Sequence, residues 1–229
     1  MERQDIREFY TKGIEDYQKI EHLIKVNSYH QLNKNVQKGQ ILFTGSSLME
    51  QFPVRELCLS QNINKIIYNR GIGGFTTDDF LSVIDTVLFD LSPSKVFINI
   101  GTNDIRYKED STEWLPHLTD NLHLLFKQCK EKLPTTQFYL MAYYPVNAIF
   151  AQKYRKDMAD VFKIRNNQNI TLANKHLQQI ADLFDYTYID CNQGLTDEAG
   201  NLKEEYTVDG MHMYPHAYSI VLNNMKPYL

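Results

Sequence analysis

The sequence predicts an α/β fold: a three-layer α/β/α sandwich on a parallel sheet of about five strands, with an extra N-terminal helix. Five short β-prone runs are almost continuously apolar, as expected for strands that are covered on both faces. Longer segments with helical periodicity separate these runs, which is typical of right-handed βαβ crossovers. The predicted strands are 41–44, 65–69, 96–100, 138–142 and 187–190.

The predicted helices are 76–90, 112–132, 153–184 and 214–226, and an earlier one covers 3–30. Apolar residues recur every three or four positions in segment 3–30, which predicts an amphipathic helix that packs on the body. A dimer contact is the alternative use of its apolar stripe, so the sequence leaves a homodimer open. At 229 residues the chain is predicted to be a single domain, 1–229, with 1–38 as a helical extension packed on it.

The composition excludes several function classes. The formal net charge is −4 and no basic stripe occurs, so we expect no nucleic-acid partner. No apolar run approaches the roughly 20 residues of a membrane span. The three cysteines lie far apart and without metal-ligand spacing, and no secretory signal is visible. We therefore expect reduced thiols, a cytoplasmic location and no cofactor.

Parallel sheets bind ligands at the carboxyl ends of their strands, and the first such end carries two serines. Ile41–Thr44 is followed by Gly45, Ser46 and Ser47, which reads as a strand, a sharp turn and a helix start. A serine at a helix N-terminus lies beside backbone N–H groups and the positive end of the helix dipole, which favour a developing oxyanion. The alternative is that one of these serines only caps the helix.

The loops after the second and third strands add candidate hydrogen-bond donors. Residues 69–77 are rich in glycine, which permits backbone N–H groups to point into the crevice. They lack the full G-x-G-x-x-G spacing of a dinucleotide loop. Residues 101–104 place the amide of Asn103 where it can face a carbonyl oxygen, while we assign Asp104 to holding the loop backbone. A turn-forming role is the alternative for both loops.

Asp209 and His212 form the last candidate element. One turn could present both to the same crevice, with the carboxylate orienting the imidazole as in a catalytic triad. Surface neighbours without function are the alternative. His216 lies four residues after His212, but no further ligand spacing accompanies them, so we predict no metal site.

Taken in this order, the four elements resemble those of the SGNH hydrolase family, the GDSL-like lipases and acylhydrolases. Its Gly-Asp-Ser-Leu block looks like residues 45–48, with Ser46 in place of the aspartate. The resemblance implies a flavodoxin-like sheet and a serine esterase, and Tyr218 fits the family's aromatic residue in the last helix. It implies Ser47, Asp209 and His212 as the catalytic set, and Ser47, Gly74 and Asn103 as the oxyanion hole.

The substrate is predicted less sharply, as a small-molecule ester with a short acyl or O-acetyl group on a carbohydrate-like alcohol. Tyr143, Tyr144 and Phe150 could wall an acyl or leaving-group pocket, or pack against helix 153–184. Arg106 and Tyr107 could meet a polar leaving group. A lysophospholipase or thioesterase is the alternative activity. A non-catalytic ligand-binding module is the alternative class, although such a module has no chemical reason to keep the whole set.

Overall fold

A parallel five-stranded sheet forms the centre of the molecule. The structure, a computed structural model, describes residues 3–106 and 113–229, with residues 3–11 and Glu15 described by their backbone. The predicted strands are confirmed to within two residues at each end. They are β1 (Ile41–Gly45), β2 (Ile67–Gly71), β3 (Lys95–Asn99), β4 (Gln137–Met141) and β5 (Thr187–Ile189).

The strand order β2-β1-β3-β4-β5 places β1 between β2 and β3, and every pair is parallel. The chain therefore leaves β1 in one direction and returns on the other side of it, which makes a topological switch point at the carboxyl end of β1. Neighbouring residues Leu42 and Phe43 are both fully buried but belong to different hydrophobic clusters. The sheet is thus covered on both faces, which explains its nearly continuous apolar strands.

Helices form the outer layers, and two predicted helices are divided. Segment 76–90 becomes two short helices and a 3₁₀ turn, while segment 153–184 becomes the end of one helix and two further helices. The second division has a clear cause, because the Asn166 side chain accepts from the N–H of Asn169 and so begins a new helix. The helices are α1 (Arg3–Asn33), α2 (Ser47–Glu50), α3 (Val54–Ser60), α4 (Thr77–Ser82), α5 (Ile84–Val87), α6 (Trp114–Lys132), α7 (Ala148–Tyr154), α8 (Ala159–Ile164), α9 (Asn167–Phe184) and α10 (Pro215–Met225).

The extra helix α1 is confirmed, but the prediction that its apolar stripe packs on the body is wrong for the part of the stripe whose side chains are described. Ile14, Tyr17 and Ile20 are 55–61% exposed. The opposite side of α1 contacts the body, through His22, Tyr29 and other residues that hydrogen-bond backbone carbonyl oxygens at the strand ends and in α5. Polar donors suit that surface better than apolar side chains do. A dimer contact through the exposed stripe stays a prediction.

None of the described helices is long and apolar enough to cross a membrane.

Candidate active site

The turn after β1 places Ser47 at the switch point of the sheet. Gly45 has φ +144°, and a Cβ on it would lie 2.0 Å from the carbonyl oxygen of Asn99, so only glycine fits there. The N–H of Ser46 donates to that same oxygen at 3.1 Å. Ser47 then begins α2, which has only four residues and therefore contributes little dipole. The Ser47 N–H has no hydrogen-bond partner among the described residues, so it is available as a hydrogen-bond donor to a ligand.

Ser47, His212 and Asp209 form a continuous hydrogen-bonded chain. The Oγ of Ser47 lies 2.9 Å from Nε2 of His212, and Nδ1 of His212 lies 2.7 Å from Oδ2 of Asp209. The other carboxylate oxygen, Oδ1, accepts from the backbone N–H groups of Met211 and His212. A tight loop fixes this arrangement, because Gly210 has φ +97° and donates its N–H to a threonine hydroxyl.

The charge on Asp209 determines which nitrogen of His212 carries a proton. Burial alone would raise the pKa of Asp209, but hydrogen bonds from His212 and its charge outweigh burial and lower that pKa to about 2. Asp209 is therefore a carboxylate at neutral pH and can only accept hydrogen bonds. It follows that Nδ1 of His212 carries the proton, and that Nε2 is left to accept from the hydroxyl of Ser47.

The loop after β2 is a tight turn beside Ser47. The N–H of Phe75 donates to the carbonyl oxygen of Ile72, and Gly74, the third residue of this turn, has φ +76°. Nδ2 of Asn103 donates to the carbonyl oxygen of Phe75 at 3.0 Å, which leaves its second hydrogen free. Within the described part of the chain, the N–H of Gly74 has no hydrogen-bond partner. We call residues 72–75 the glycine turn.

Asp104 holds the loops around the site, as predicted. It is buried and accepts hydrogen bonds from the N–H and the hydroxyl of Thr77, so it ties the loop after β3 to the start of α4. Burial raises the pKa of its carboxyl, against the lowering effect of the Thr77 hydrogen bonds. Asp104 is thus a structural residue at the edge of the site.

The residues predicted to bind substrate do not form one pocket. Tyr143 and Tyr144 are buried in the core, so they do not wall a crevice, and the predicted substrate role for them is wrong. Phe150 is half-buried and packs on Tyr154, and Arg106 is exposed. Tyr107 lies outside the described residues.

The two tyrosines provide a matched test of this correction. The hydroxyl of Tyr143 donates to the carbonyl oxygen of Ile100 at 2.8 Å, whereas that of Tyr144 is buried with no hydrogen-bond partner among the described residues. We expect Tyr143→Phe to lower the free energy of unfolding by about 1–3 kcal/mol, because it leaves a buried carbonyl oxygen unpaired. Tyr144→Phe should leave the free energy of unfolding unchanged or raise it, because the Tyr144 hydroxyl has no partner to lose among the described residues. Urea unfolding measures both, and a changed KM with unchanged stability in Tyr143→Phe would contradict the core assignment.

Two residues that the sequence did not single out also contact the glycine turn. Oε2 of Glu50 accepts from the N–H of Gly73 at 2.6 Å, and Nε2 of His22 lies 2.8 Å from the carbonyl oxygen of Gly73. No sequence motif indicates these contacts, because His22 and Glu50 lie 51 and 23 residues before Gly73 in the chain.

A serine–histidine–carboxylate chain at the carboxyl ends of a parallel sheet is the arrangement of a serine hydrolase. The model of the GDSL-like Lipase/Acylhydrolase family matches residues 46–220. The chain belongs to this family, and it is a hydrolase that acts on esters.

One relative in sequence and two solved structures are similar to this chain. N-acylneuraminate cytidylyltransferase of Escherichia coli O18:K1:H7 is 29% identical over 192 residues, 82% of this chain and 39% of the relative, so the chain spans about two fifths of that protein. A Streptococcus pneumonia protein, provisionally described as a platelet activating factor, is 30% identical with a TM-score of 0.82 over 96% of this chain and 98% of its own. Acetylxylan esterase of Geobacillus stearothermophilus is 17% identical with a TM-score of 0.62 over 84% and 94%.

Proposed function

We propose that the protein is a serine esterase that removes a short acyl or O-acetyl group from a carbohydrate-like ester, through an acyl-enzyme on Ser47. One observation carries this proposal: Ser47 Oγ, His212 and Asp209 are joined by contacts of 2.9 and 2.7 Å beside backbone N–H groups that have no partner among the described residues. Nucleophile, base and orienting carboxylate then stand in the order that acyl transfer requires.

In the first half-reaction, Nε2 of His212 takes the proton of Ser47 while Oγ bonds to the carbonyl carbon of the ester. The carbonyl oxygen becomes an oxyanion and accepts hydrogen bonds from the N–H groups of Ser47 and Gly74 and the amide of Asn103. The tetrahedral intermediate then collapses. The bond to the alcohol breaks, the alcohol leaves with the proton held by His212, and the acyl group stays on Ser47.

In the second half-reaction, His212 takes a proton from water, and the hydroxide oxygen bonds to the acyl carbon. The new oxyanion uses the same three donors. When it collapses, the bond to Ser47 breaks, Oγ regains its proton from His212 and the carboxylic acid leaves. Asp209 stays ionised throughout, because its pKa of about 2 lies far below neutral pH, and it stabilises the charged imidazole.

The preference for an acylated carbohydrate is supported by the relatives. The cytidylyltransferase is named for an N-acylated sugar acid, which supports a carbohydrate but carries its acyl group on nitrogen, and acetylxylan esterase is named for an acetylated polysaccharide. Catalytic mutants of that esterase replace a serine or a histidine, the two residue types that we assign to attack and proton transfer. These names support the reaction and the substrate class that we propose.

A lysophospholipid or another lipid ester is the second candidate, and one observation favours it. The outward side of α1 exposes Tyr17, Ile20 and Ile24 by 55–63%, and the same helix contacts the glycine turn. An apolar helix face of this kind suits contact with acyl chains or a lipid surface.

A substrate panel separates the two candidates. We expect acetate release from acetylated sugars and from p-nitrophenyl acetate, with Ser47→Ala as the blank. Fatty acid release from lysophosphatidylcholine without acetate release would support the lipid candidate instead. Failure to hydrolyse any carboxylic ester would overturn both.

Asn103→Ala tests the oxyanion assignment. Loss of one such donor typically lowers kcat about 100- to 1000-fold, since the interaction is strongest in the transition state. Here the loss also frees the carbonyl oxygen of Phe75, so we expect the upper part of that range. Asn223→Ala, at an exposed position of α10, is the matched control. Wild-type turnover of p-nitrophenyl acetate by Asn103→Ala would show the assignment to be wrong.

The cytoplasmic location stays a prediction, and its support is that Cys58, Cys129 and Cys191 are free and buried.

A further inference from the structure

Helix α1 contacts the glycine turn through the aromatic side chain of His22. Nε2 of His22 lies 2.8 Å from the carbonyl oxygen of Gly73, and the His22 ring meets the Phe75 ring edge-on, at 4.9 Å between centroids and 85° between planes. A carbonyl oxygen can only accept a hydrogen bond, so Nε2 of His22 carries a proton and donates it. His22 therefore holds both the backbone and a side chain of the glycine turn.

This contact determines where the next N–H points. The carbonyl oxygen of Gly73 and the N–H of Gly74 belong to the same peptide unit. The described chain has no cis peptide bonds, and in a planar trans peptide the C=O and N–H bonds point in opposite directions. When His22 draws the Gly73 oxygen towards α1, the N–H of Gly74 must point away from α1. That N–H is one of the proposed oxyanion donors.

A second side chain of α1, Lys25, supports the preceding peptide, Ile72–Gly73, through Glu50. Oε2 of Glu50 accepts from the N–H of Gly73 at 2.6 Å, and Nζ of Lys25 lies 2.7 Å from Oε1 of Glu50. Lys25 and His22 are one turn apart on α1, so both face the glycine turn. Glycine at 74 allows the Gly73–Gly74 peptide to rotate easily, and the His22 contact restricts that rotation, while Glu50 fixes the peptide before it.

We propose that His22 is a positioning residue, which orients the Gly73–Gly74 peptide so that the Gly74 N–H faces the reacting carbonyl. This inference rests on the proposed esterase function, and it makes the N-terminal helix part of the catalytic machinery without any contact between His22 and the substrate. Because the donor matters most when the oxyanion forms, loss of His22 should lower kcat and leave KM nearly unchanged.

Two substitutions at His22 separate positioning from packing. His22→Phe keeps a ring against Phe75 but cannot donate a hydrogen bond, and we expect kcat for p-nitrophenyl acetate to fall about 10- to 100-fold, the loss typical of a misplaced reacting group. His22→Gln places an amide nitrogen near the position of Nε2 and should restore kcat to within a few-fold of wild type. His30→Leu, at an exposed position of the same helix, is the control and should be fully active.

Two results would contradict a positioning role for His22. Wild-type kcat in His22→Phe overturns the proposal, and so does an equal loss in the Phe and Gln variants, since that would indicate packing alone. If His22→Phe does not fold, His22→Ala takes its place under the same criteria. A wild-type enzyme that hydrolyses no ester, or a Ser47→Ala variant as active as wild type, would overturn the esterase proposal itself. The two failures are thus distinct.

Discussion

Ser47→Ala is expected to lower kcat for p-nitrophenyl acetate on the order of 10⁶-fold, the loss typical of removing the nucleophile of a triad. Without Oγ no acyl-enzyme forms, and His212 has no hydroxyl at 2.9 Å to deprotonate. The oxyanion donors keep some activity through attack by water. The backbone of the turn should be unchanged, since Gly45 and the Ser46 N–H hold it independently of this side chain.

Ser46→Ala is the matched control for this experiment. Ser46 is buried, its side chain forms no capping hydrogen bond, and its backbone N–H donates to the carbonyl oxygen of Asn99. We expect Ser46→Ala to keep kcat within about ten-fold of wild type, the change expected of a residue outside the reaction. The reverse pattern, with Ser46→Ala inactive and Ser47→Ala active, would show that Ser46 and not Ser47 is the nucleophile.

Asp209→Asn is the second large effect, and we expect kcat to fall about 10⁴-fold at neutral pH. The two backbone N–H groups on Oδ1 require an acceptor, so the amide oxygen of the new side chain should take that place. Its NH₂ group then faces Nδ1 of His212 and needs an acceptor there. His212 must shift its proton to Nε2, which can then no longer take the proton of Ser47.

The comparison for Asp209→Asn is Asp182→Asn, which makes the same chemical change at an exposed position of α9. Thermal unfolding followed by circular dichroism checks that both variants are folded. A folded Asp209→Asn enzyme with wild-type turnover would mean that Asp209 does not set the tautomer of His212.

The sheet and the loops that carry the candidate site could be predicted from the sequence because both follow from local rules, whereas Ser47, Asp209 and His212 were chosen as a set by the family resemblance. A strand covered on both faces is apolar over most of its length, so β1 and β3 are visible as nearly continuous apolar runs. The residues after parallel strands meet at one edge of the sheet, so Ser47, Asn103 and the glycine turn had to be neighbours.

Contacts between elements far apart in sequence could not be predicted in this way. The apolar period of α1 indicated a helix, but the face that docks carries His22 and Tyr29, whose partners are backbone carbonyl oxygens with no sequence signature. The strand-end position of Tyr143 indicated a crevice residue, yet its hydroxyl turns inward to the carbonyl oxygen of Ile100. In both cases the hydrogen-bonding demand of buried backbone decided the orientation.

Whether Ser47 is an activated nucleophile can be measured by labelling the protein with a fluorophosphonate and mapping the adduct by peptide mass spectrometry. We expect one adduct on Ser47, absent in Ser47→Ala and formed much more slowly in Asp209→Asn. An unlabelled wild-type protein, or an adduct on Ser46 or any other residue, would contradict the assignment of Ser47 as the nucleophile.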